Sequence, residues 1–307
     1  MTPPHVPRTR QLLILNDKEE LILDLLRVVG YAALEDIHYV RFRDKSPASV
    51  RAILAKLSGG QDYAEGALLY RFPVPSTAKG TKPRAYALGP KAGELKAGEG
   101  YYRPSKARNL SYYQTSHNLS LSRFICSALL WEQTDPQVRL ADIRMCYELA
   151  RELRKVAAEN AGQPAPVLVV PDAWVNVELL EAKTGVHKTY LPIWLEIDNS
   201  SMYRLRFQQH VEDRIEYIRS EKYAHFFGDD AVRIAYATIA SDERRHSRLS
   251  AMRRWTEEVL TELKLEKWAT VFYFTTLVYE DIYGLKHFSD PVWYSPGDPT
   301  PKRILEP

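Results

Sequence analysis

The second half of the chain alternates strand patterns with helix patterns, and this order restricts the folds that it can adopt. Strand patterns rich in β-branched and aromatic residues occur in HKTYLPIWLEID, DAVRIAYATIA and ATVFYFTTLV. Helix patterns separate them, with apolar residues at helical spacing in MYRLRFQQHVEDRIEYIRS and SRLSAMRRWTEEVLTEL. Strands that alternate with helices predict parallel crossover connections and a sheet that is covered on both faces.

Further elements precede this alternating region. The segment PAPVLVVPDAWVNVEL predicts a strand, and a turn-like segment joins it to the next strand as a hairpin. The segment QVRLADIRMCYELARELRK fits either a strand that leads into a helix or one long helix, and we prefer the first interpretation. HNLSLSRFICSALLWEQ predicts a helix. We therefore expect an α/β domain with a mixed sheet over residues 117–307.

The first third of the chain predicts a smaller domain. Three helix patterns are followed by two short strand patterns: DKEELILDLLRVVG, ALEDIHYVRF, SPASVRAILAKL, GALLYRFPV and RAYALG. Three helices followed by a hairpin with a basic tip is the element order of a winged helix, whose third helix enters the major groove of DNA. We expect a winged-helix domain over residues 1–90. A linker rich in Gly, Lys, Ser and Tyr is expected over residues 91–116.

Basic residues of this predicted domain are candidate contacts to double-stranded DNA. Residues 1–115 carry 18 lysines and arginines against 11 aspartates and glutamates, whereas the rest of the chain carries 24 against 28. Such segregation favours a polyanion-binding part. The predicted contacts are Arg51 and Lys56 on the third helix and Lys79, Lys82 and Arg84 on the hairpin. A winged helix that docks another protein is the alternative.

A second basic cluster lies in SDERRHSRLSAMRR, at the start of a predicted helix. Its candidate DNA contacts are Arg244, Arg245 and Arg248, because arginine suits bidentate phosphate contacts and helix N-termini bind phosphate. Glu257 and Glu258 follow closely, so a surface of ordinary ion pairs is the alternative.

Several classes of protein are disfavoured by what the sequence lacks. No apolar run approaches the roughly 18 to 20 residues that span a bilayer, and the N-terminus has no apolar signal segment, so we expect a cytoplasmic protein with no membrane partner. Cys126 and Cys146 have no metal-ligand spacing and predict buried apolar positions. The absence of GxGxxG, Walker and GxSxG motifs disfavours nucleotide binding and hydrolase triads.

Three carboxylates stand at predicted strand ends. Asp172 ends the first strand of the hairpin, and Glu196 and Asp198 end the second, where alternation puts both on one face about 7 Å apart at the backbone. Neighbouring like charges need a compensating cation, and carboxylate oxygens are the ligands that Mg²⁺ prefers. Asp172 and Glu196 are therefore predicted metal ligands. The alternative is that Arg204 or Arg206 pairs with Asp198.

The order of these carboxylates resembles a known nuclease motif. The sequence has Pro171-Asp172, then a gap of strand length, and then Glu196-Ile197-Asp198. This order is similar to the PD-(D/E)xK motif of restriction-endonuclease-like nucleases, with Asp198 in place of the lysine. Most of the chain resembles the replication-relaxation family of bacterial mobile elements. Further matching features are the winged-helix pattern, His117 in SHNLSLSRF, Val170, Leu195, Glu216-Tyr217, ATVFYFTTL and PVW at 291–293.

This resemblance implies a DNA-binding winged helix fused to a restriction-endonuclease-like domain that acts in plasmid replication or DNA relaxation. It also implies that Asp172, Glu196 and Asp198 are the catalytic residues. The carboxylate at the lysine position would act on the attacking water or on a second metal. Three hypotheses are open: a Mg²⁺-dependent nicking enzyme, a DNA-binding replication or transcription factor with an inactive nuclease-like domain, and a scaffold that docks other replication proteins.

Overall fold

The described part of the chain has a mixed α and β structure. The computed structural model describes residues 15–61, 66–74, 83–89, 91–92, 111–159, 169–181, 187–199, 202–239, 242–277, 282–284 and 286–305. These residues form a three-stranded sheet and a seven-stranded mixed sheet with helices, which confirms the predicted α+β class and the mixed sheet. Among the helices of these ranges, none combines the length and the apolar composition needed to cross a membrane.

The N-terminal part contains three helices and three short strands. They are α1 (Asp17–Val29), β1 (Tyr31–Ala33), α2 (Leu34–Arg41), α3 (Pro47–Leu57), β2 (Leu69–Pro73) and β3 (Arg84–Leu88). The strands pair in the order β1-β3-β2, and both pairs are antiparallel. Asn16 begins α1 through a reciprocal capping box with Glu19, and Ser46 caps α3. The predicted order of three helices and a hairpin is therefore observed.

The larger part of the structure is built on the seven-stranded sheet, whose strand order is β10-β9-β8-β7-β6-β5-β4. Its elements are α4 (Tyr112–Thr134), β4 (Val138–Met145), α5 (Cys146–Glu159), β5 (Ala173–Leu180), β6 (His187–Asp198), α6 (Arg204–Arg219), α7 (Lys222–Phe227), β7 (Arg233–Thr238), α8 (Asp242–Glu262), β8 (Phe272–Thr276), α9 (Lys286–Ser289), β9 (Trp293–Ser295) and β10 (Asp298–Lys302). Strands β6, β7 and β8 are parallel, with α6 and α8 in their connections. Alternation of strands and helices along the sequence predicts this arrangement correctly.

Strand β6 separates two hydrophobic cores, because neighbouring side chains of a strand point to opposite faces. Leu195 and Ile197 pack in the core that includes α4 and the N-terminal helices. Trp194 packs in the other core with Phe207 of α6 and Met252 of α8. The central sheet is therefore covered on both faces, as the sequence predicts.

Helix α4 joins the two parts of the structure. The Ser122 hydroxyl donates a hydrogen bond to the carbonyl of Val29 at 2.8 Å. Arg123 Nε donates to Asp36 Oδ1 at 3.1 Å, and the Tyr283 hydroxyl donates to the same oxygen. The N-terminal helices thus share a buried ion pair with α4. Residues 93–110, most of the predicted linker, lie outside the described ranges, so the linker and the domain boundaries stay predictions.

The predicted strand position of Asp172 is wrong. Strand β5 begins at Ala173, so Asp172 precedes the strand instead of ending it. The antiparallel register sets Ala173 opposite Leu195, which places the beginning of β5 beside the end of β6. This is why Asp172 lies next to Glu196 although the two strands of the hairpin run in opposite directions.

Candidate functional site

The three predicted carboxylates lie together at one end of the large sheet. Asp172, Glu196 and Asp198 all line an open cleft of about 360 Å³. The first turns of α4 and the first turns of α6 form its other walls, and the residues that they contribute include Tyr113, Gln114, His117, Asn118, Arg206 and His210.

Glu196 is paired with a buried arginine from α6. Its Oε1 accepts hydrogen bonds from Arg214 Nη2 at 2.5 Å and Nε at 2.9 Å, and from Trp194 Nε1 at 2.6 Å. Burial raises the pKa of Glu196 to about 6, although the positive charge of Arg214 opposes this shift. The guanidinium of Arg214 therefore supplies the positive charge that compensates the buried carboxylate of Glu196.

Sequence analysis missed Arg214, although a signal for it exists. Arg214 is only 3% exposed. Its spacing from Phe207 and Val211 puts it on the apolar face of α6, where both of those residues are buried. A charged residue on an apolar helical face needs a buried partner, so it indicates an ion pair with another element.

Asp198 is paired with an arginine from α8. Arg248 Nε and Nη2 each donate to one of its two carboxylate oxygens at 2.8 Å, and the Thr238 hydroxyl donates to Oδ2 at 2.9 Å. Arg248 also donates to the carbonyl of Met202 at 2.8 Å and lies over the ring of Trp255. Such a bidentate pair is among the stronger charged contacts in proteins. It fixes the start of α8 against the end of β6.

The arginines that neutralise the carboxylates are not those nearest in sequence. Arg248, and neither Arg204 nor Arg206, is the partner of Asp198 in the structure. Arg204 pairs with Glu258 at 2.9 Å, and Arg206 is exposed in the cleft. Because its guanidinium is bound to Asp198, Arg248 does not present the free bidentate group that its prediction as a phosphate contact requires.

Asp172 is held at the cleft by one backbone contact and one side-chain contact. Its Oδ2 accepts the Ile197 N–H at 2.8 Å, and its Oδ1 lies 3.1 Å from His117 Nε2. Burial opposes protonation of His117, but its hydrogen bond to Asp172 and the charge of Asp172 raise its pKa above the usual value. Of the three carboxylates, Asp172 is thus the one without an arginine partner among the described residues.

The cluster does not present the ligand set that the sequence predicts for Mg²⁺. Both oxygens of Asp198 and one oxygen of Glu196 accept hydrogen bonds from arginine. Within the described ranges, no group of three His, Cys, Asp or Glu side chains is placed to hold a metal ion. Metal binding by Asp172 and Glu196 stays a prediction, and arginines compensate the charges of Glu196 and Asp198.

The predicted DNA contacts of the N-terminal part lie on its surface or outside the described ranges. Arg51 is exposed on α3. Lys56 pairs with a glutamate of α1 at 2.5 Å, while 69% of its side chain stays exposed. Arg84 begins β3, and Lys79 and Lys82 lie outside the described residues.

The second basic cluster is only partly available to a ligand. Arg244 is exposed in the first turn of α8, and the side chain of Arg245 lies outside what the structure describes. Arg253 binds the carbonyls of Ser295 and Asp298. Arg248 and Arg253 therefore make contacts within the protein, whereas the roles of Arg244 and Arg245 in DNA binding stay predictions.

Comparison of the chain with protein-family models, with curated proteins and with solved structures gives no match. Function is therefore inferred from the contacts and charges of the described residues.

Glu196→Gln is expected to destabilise the protein. The substitution leaves the Arg214 guanidinium buried without its counter-charge, which costs about 3 to 5 kcal/mol in comparable buried pairs. The free energy of unfolding, measured by urea denaturation at pH 7, should fall by roughly this amount. Glu216→Gln, on the exposed side of α6, is the matched control and should change it by less than about 0.5 kcal/mol.

Unchanged or higher stability of Glu196→Gln would contradict this account, because it would mean that neighbouring carboxylates repel Glu196 and that a metal normally relieves the repulsion. In that case Mg²⁺ would stabilise the unsubstituted protein. Pairing with arginine predicts that Mg²⁺ leaves its unfolding free energy unchanged.

Proposed function

We propose that the chain is a DNA-binding protein of a plasmid or other mobile element that acts in replication or DNA relaxation. In this proposal a winged helix binds duplex DNA and a restriction-endonuclease-like domain has lost metal-dependent cleavage. The observation that carries the loss of cleavage is the arginine pairing of Glu196 and Asp198. The residue in the place of the nuclease lysine is a carboxylate whose two oxygens are both bound by Arg248.

The surface of α3 supports duplex binding. Its outward face combines the exposed cations Arg51 and Lys56 with the small exposed residues Ala52 and Ala55. Small side chains allow a helix to approach a groove closely, so that Arg51 can reach base edges or phosphates. Lys56 would exchange its ion pair with Glu19 for a phosphate. The excess of basic residues over residues 1–115 adds a favourable field for a polyanion.

The topology around the carboxylates supports a nuclease-like origin for the larger part. An antiparallel hairpin, β5–β6, is followed by a parallel crossover to β7, and the carboxylates lie where β5 begins and β6 ends. The same acidic positions that would hold a metal in a nuclease are here occupied by Asp172 and Glu196. Arg214 then takes the role of the cation.

A metal-dependent nicking enzyme is the second candidate. It is favoured by Asp172, which has no arginine partner in the described residues and keeps 22% of its side chain exposed in the cleft. For Glu196 to coordinate a metal ion beside Asp172, it would have to give up at least part of its contact with Arg214.

Arg51→Ala should weaken binding to duplex DNA. Loss of a contact to a base edge costs about 1 to 3 kcal/mol of binding free energy on a specific site. Loss of a phosphate contact makes the slope of log K against log salt concentration smaller by about 0.9. Gel-shift titrations at several salt concentrations separate these outcomes. Arg139→Ala, at an exposed arginine of β4, is the control, and equal affinity of the Arg51 and Arg139 variants would remove α3 from the interface.

The protein should bind supercoiled plasmid without breaking it. Incubation with Mg²⁺, with Mn²⁺ and with EDTA should give retarded plasmid and no nicked circles in all three conditions. Nicked circles that require metal and disappear in Asp172→Asn would replace the proposal with the nicking enzyme. Neither binding nor nicking would favour the scaffold for other replication proteins.

A further inference from the structure

Exposed apolar side chains occur in the two segments of the chain that line the cleft with the carboxylates. Tyr113, on the first turn of α4, lines the cleft with 72% of its surface exposed. Tyr203 directly follows Met202, which also lines the cleft, and is 67% exposed. Leu205, on the first turn of α6, is 72% exposed. Exposed aromatic rings beside a groove are the usual platforms on which unpaired bases stack.

Arginines neutralise two of the three carboxylates on the floor of the cleft, which reduces the repulsion of an anion. Glu196 and Asp198 are bound by arginines, and Asp172 is hydrogen-bonded to His117. Arg206 adds an exposed guanidinium to the wall. No ion pair or hydrogen bond joins Arg206 to another residue of the described ranges, so its charge is available to a phosphate.

The other polar groups of the cleft suit the edges of bases. Gln114 and Asn118 carry amide groups that donate and accept hydrogen bonds. Burial, together with the charges of Arg214 and Arg206, lowers the pKa of His210 to about 4, so this ring is neutral at pH 7.

The size of the cleft is compatible with a base or a phosphate of a single strand. A volume of about 360 Å³ is at the lower end of small-ligand sites, which span about 300 to 1,000 Å³. One or two nucleotides fit such a volume, whereas a double helix does not enter it and keeps its bases stacked inside.

We infer that this cleft binds a short single-stranded segment of nucleic acid, with bases stacked on Tyr113 and Tyr203 and a phosphate held by Arg206. The inference rests on the proposed function, since a protein that binds a duplex at a replication or relaxation site meets strands that have opened there. The two surfaces are separate: α3 carries the duplex contacts, and the ends of α4 and α6 carry the single-strand contacts.

Fluorescence anisotropy of a labelled oligothymidylate of about 12 nucleotides, in EDTA and low salt, tests the inference. Tyr113→Ala and Tyr203→Ala should each weaken binding by about 5- to 150-fold, since stacking of a base on an aromatic ring is worth about 1 to 3 kcal/mol. Arg206→Ala should weaken binding as well and should lower its salt dependence, because the contact to a phosphate is lost. Tyr113→Phe should bind within about twofold of the unsubstituted protein, because the ring is retained.

Controls at similar residues far from the cleft complete the experiment. Tyr190→Ala, at a tyrosine of β6 that is 44% exposed, and Arg219→Ala, at the far end of α6, should leave binding unchanged. Oligothymidylate binding that is equal in all variants would overturn the inference, as would the absence of binding while duplex binding persists. Loss of duplex binding in Arg51→Ala with intact oligothymidylate binding would support two separate surfaces, and failure on both DNAs would overturn the proposed function as well.

Discussion

The burial of two carboxylates against two arginines is the interaction on which the rest of the larger part depends. Glu196 and Asp198 end β6 on one face of the sheet, where their like charges must be compensated. Arg214 and Arg248 come from α6 and α8, the two helices that cover this face. A buried charge without its partner costs several kcal/mol, so each pair fixes one crossover helix against the end of β6.

This pairing also determines what the cleft can bind. Carboxylates that stay unpaired at a strand end attract a divalent cation and repel phosphates, whereas carboxylates held by guanidinium groups leave a floor with little net charge. Asp172 differs from the other two, because its partner among the described residues is the half-buried imidazole of His117. The three carboxylates of the cleft therefore face different groups, two of them arginines and one a histidine.

The order of elements could be predicted from the sequence, but the ion pairs could not. Periodicity of apolar residues reports which face of a strand or helix is buried, and it gave β6, α6, β7, α8 and β8 in the correct order. The pairs link residues 18 and 50 positions apart, and their choice depends on how helices pack over the sheet. Nearness in sequence therefore pointed to Arg204 and Arg206. Asp172 was misplaced because an apolar run continues on both sides of it.

A double-mutant cycle on Asp198 and Arg248 is the most direct measure of whether arginine holds the end of β6. Urea denaturation of the protein, Asp198→Asn, Arg248→Met and the double variant gives the coupling free energy, and contacts of Arg248 with other groups cancel in the cycle. A buried bidentate pair predicts a coupling of at least about 1.5 kcal/mol, with the double variant more stable than the sum of the single losses implies. Additive losses, together with an increase in stability when Mg²⁺ is added, would contradict the account.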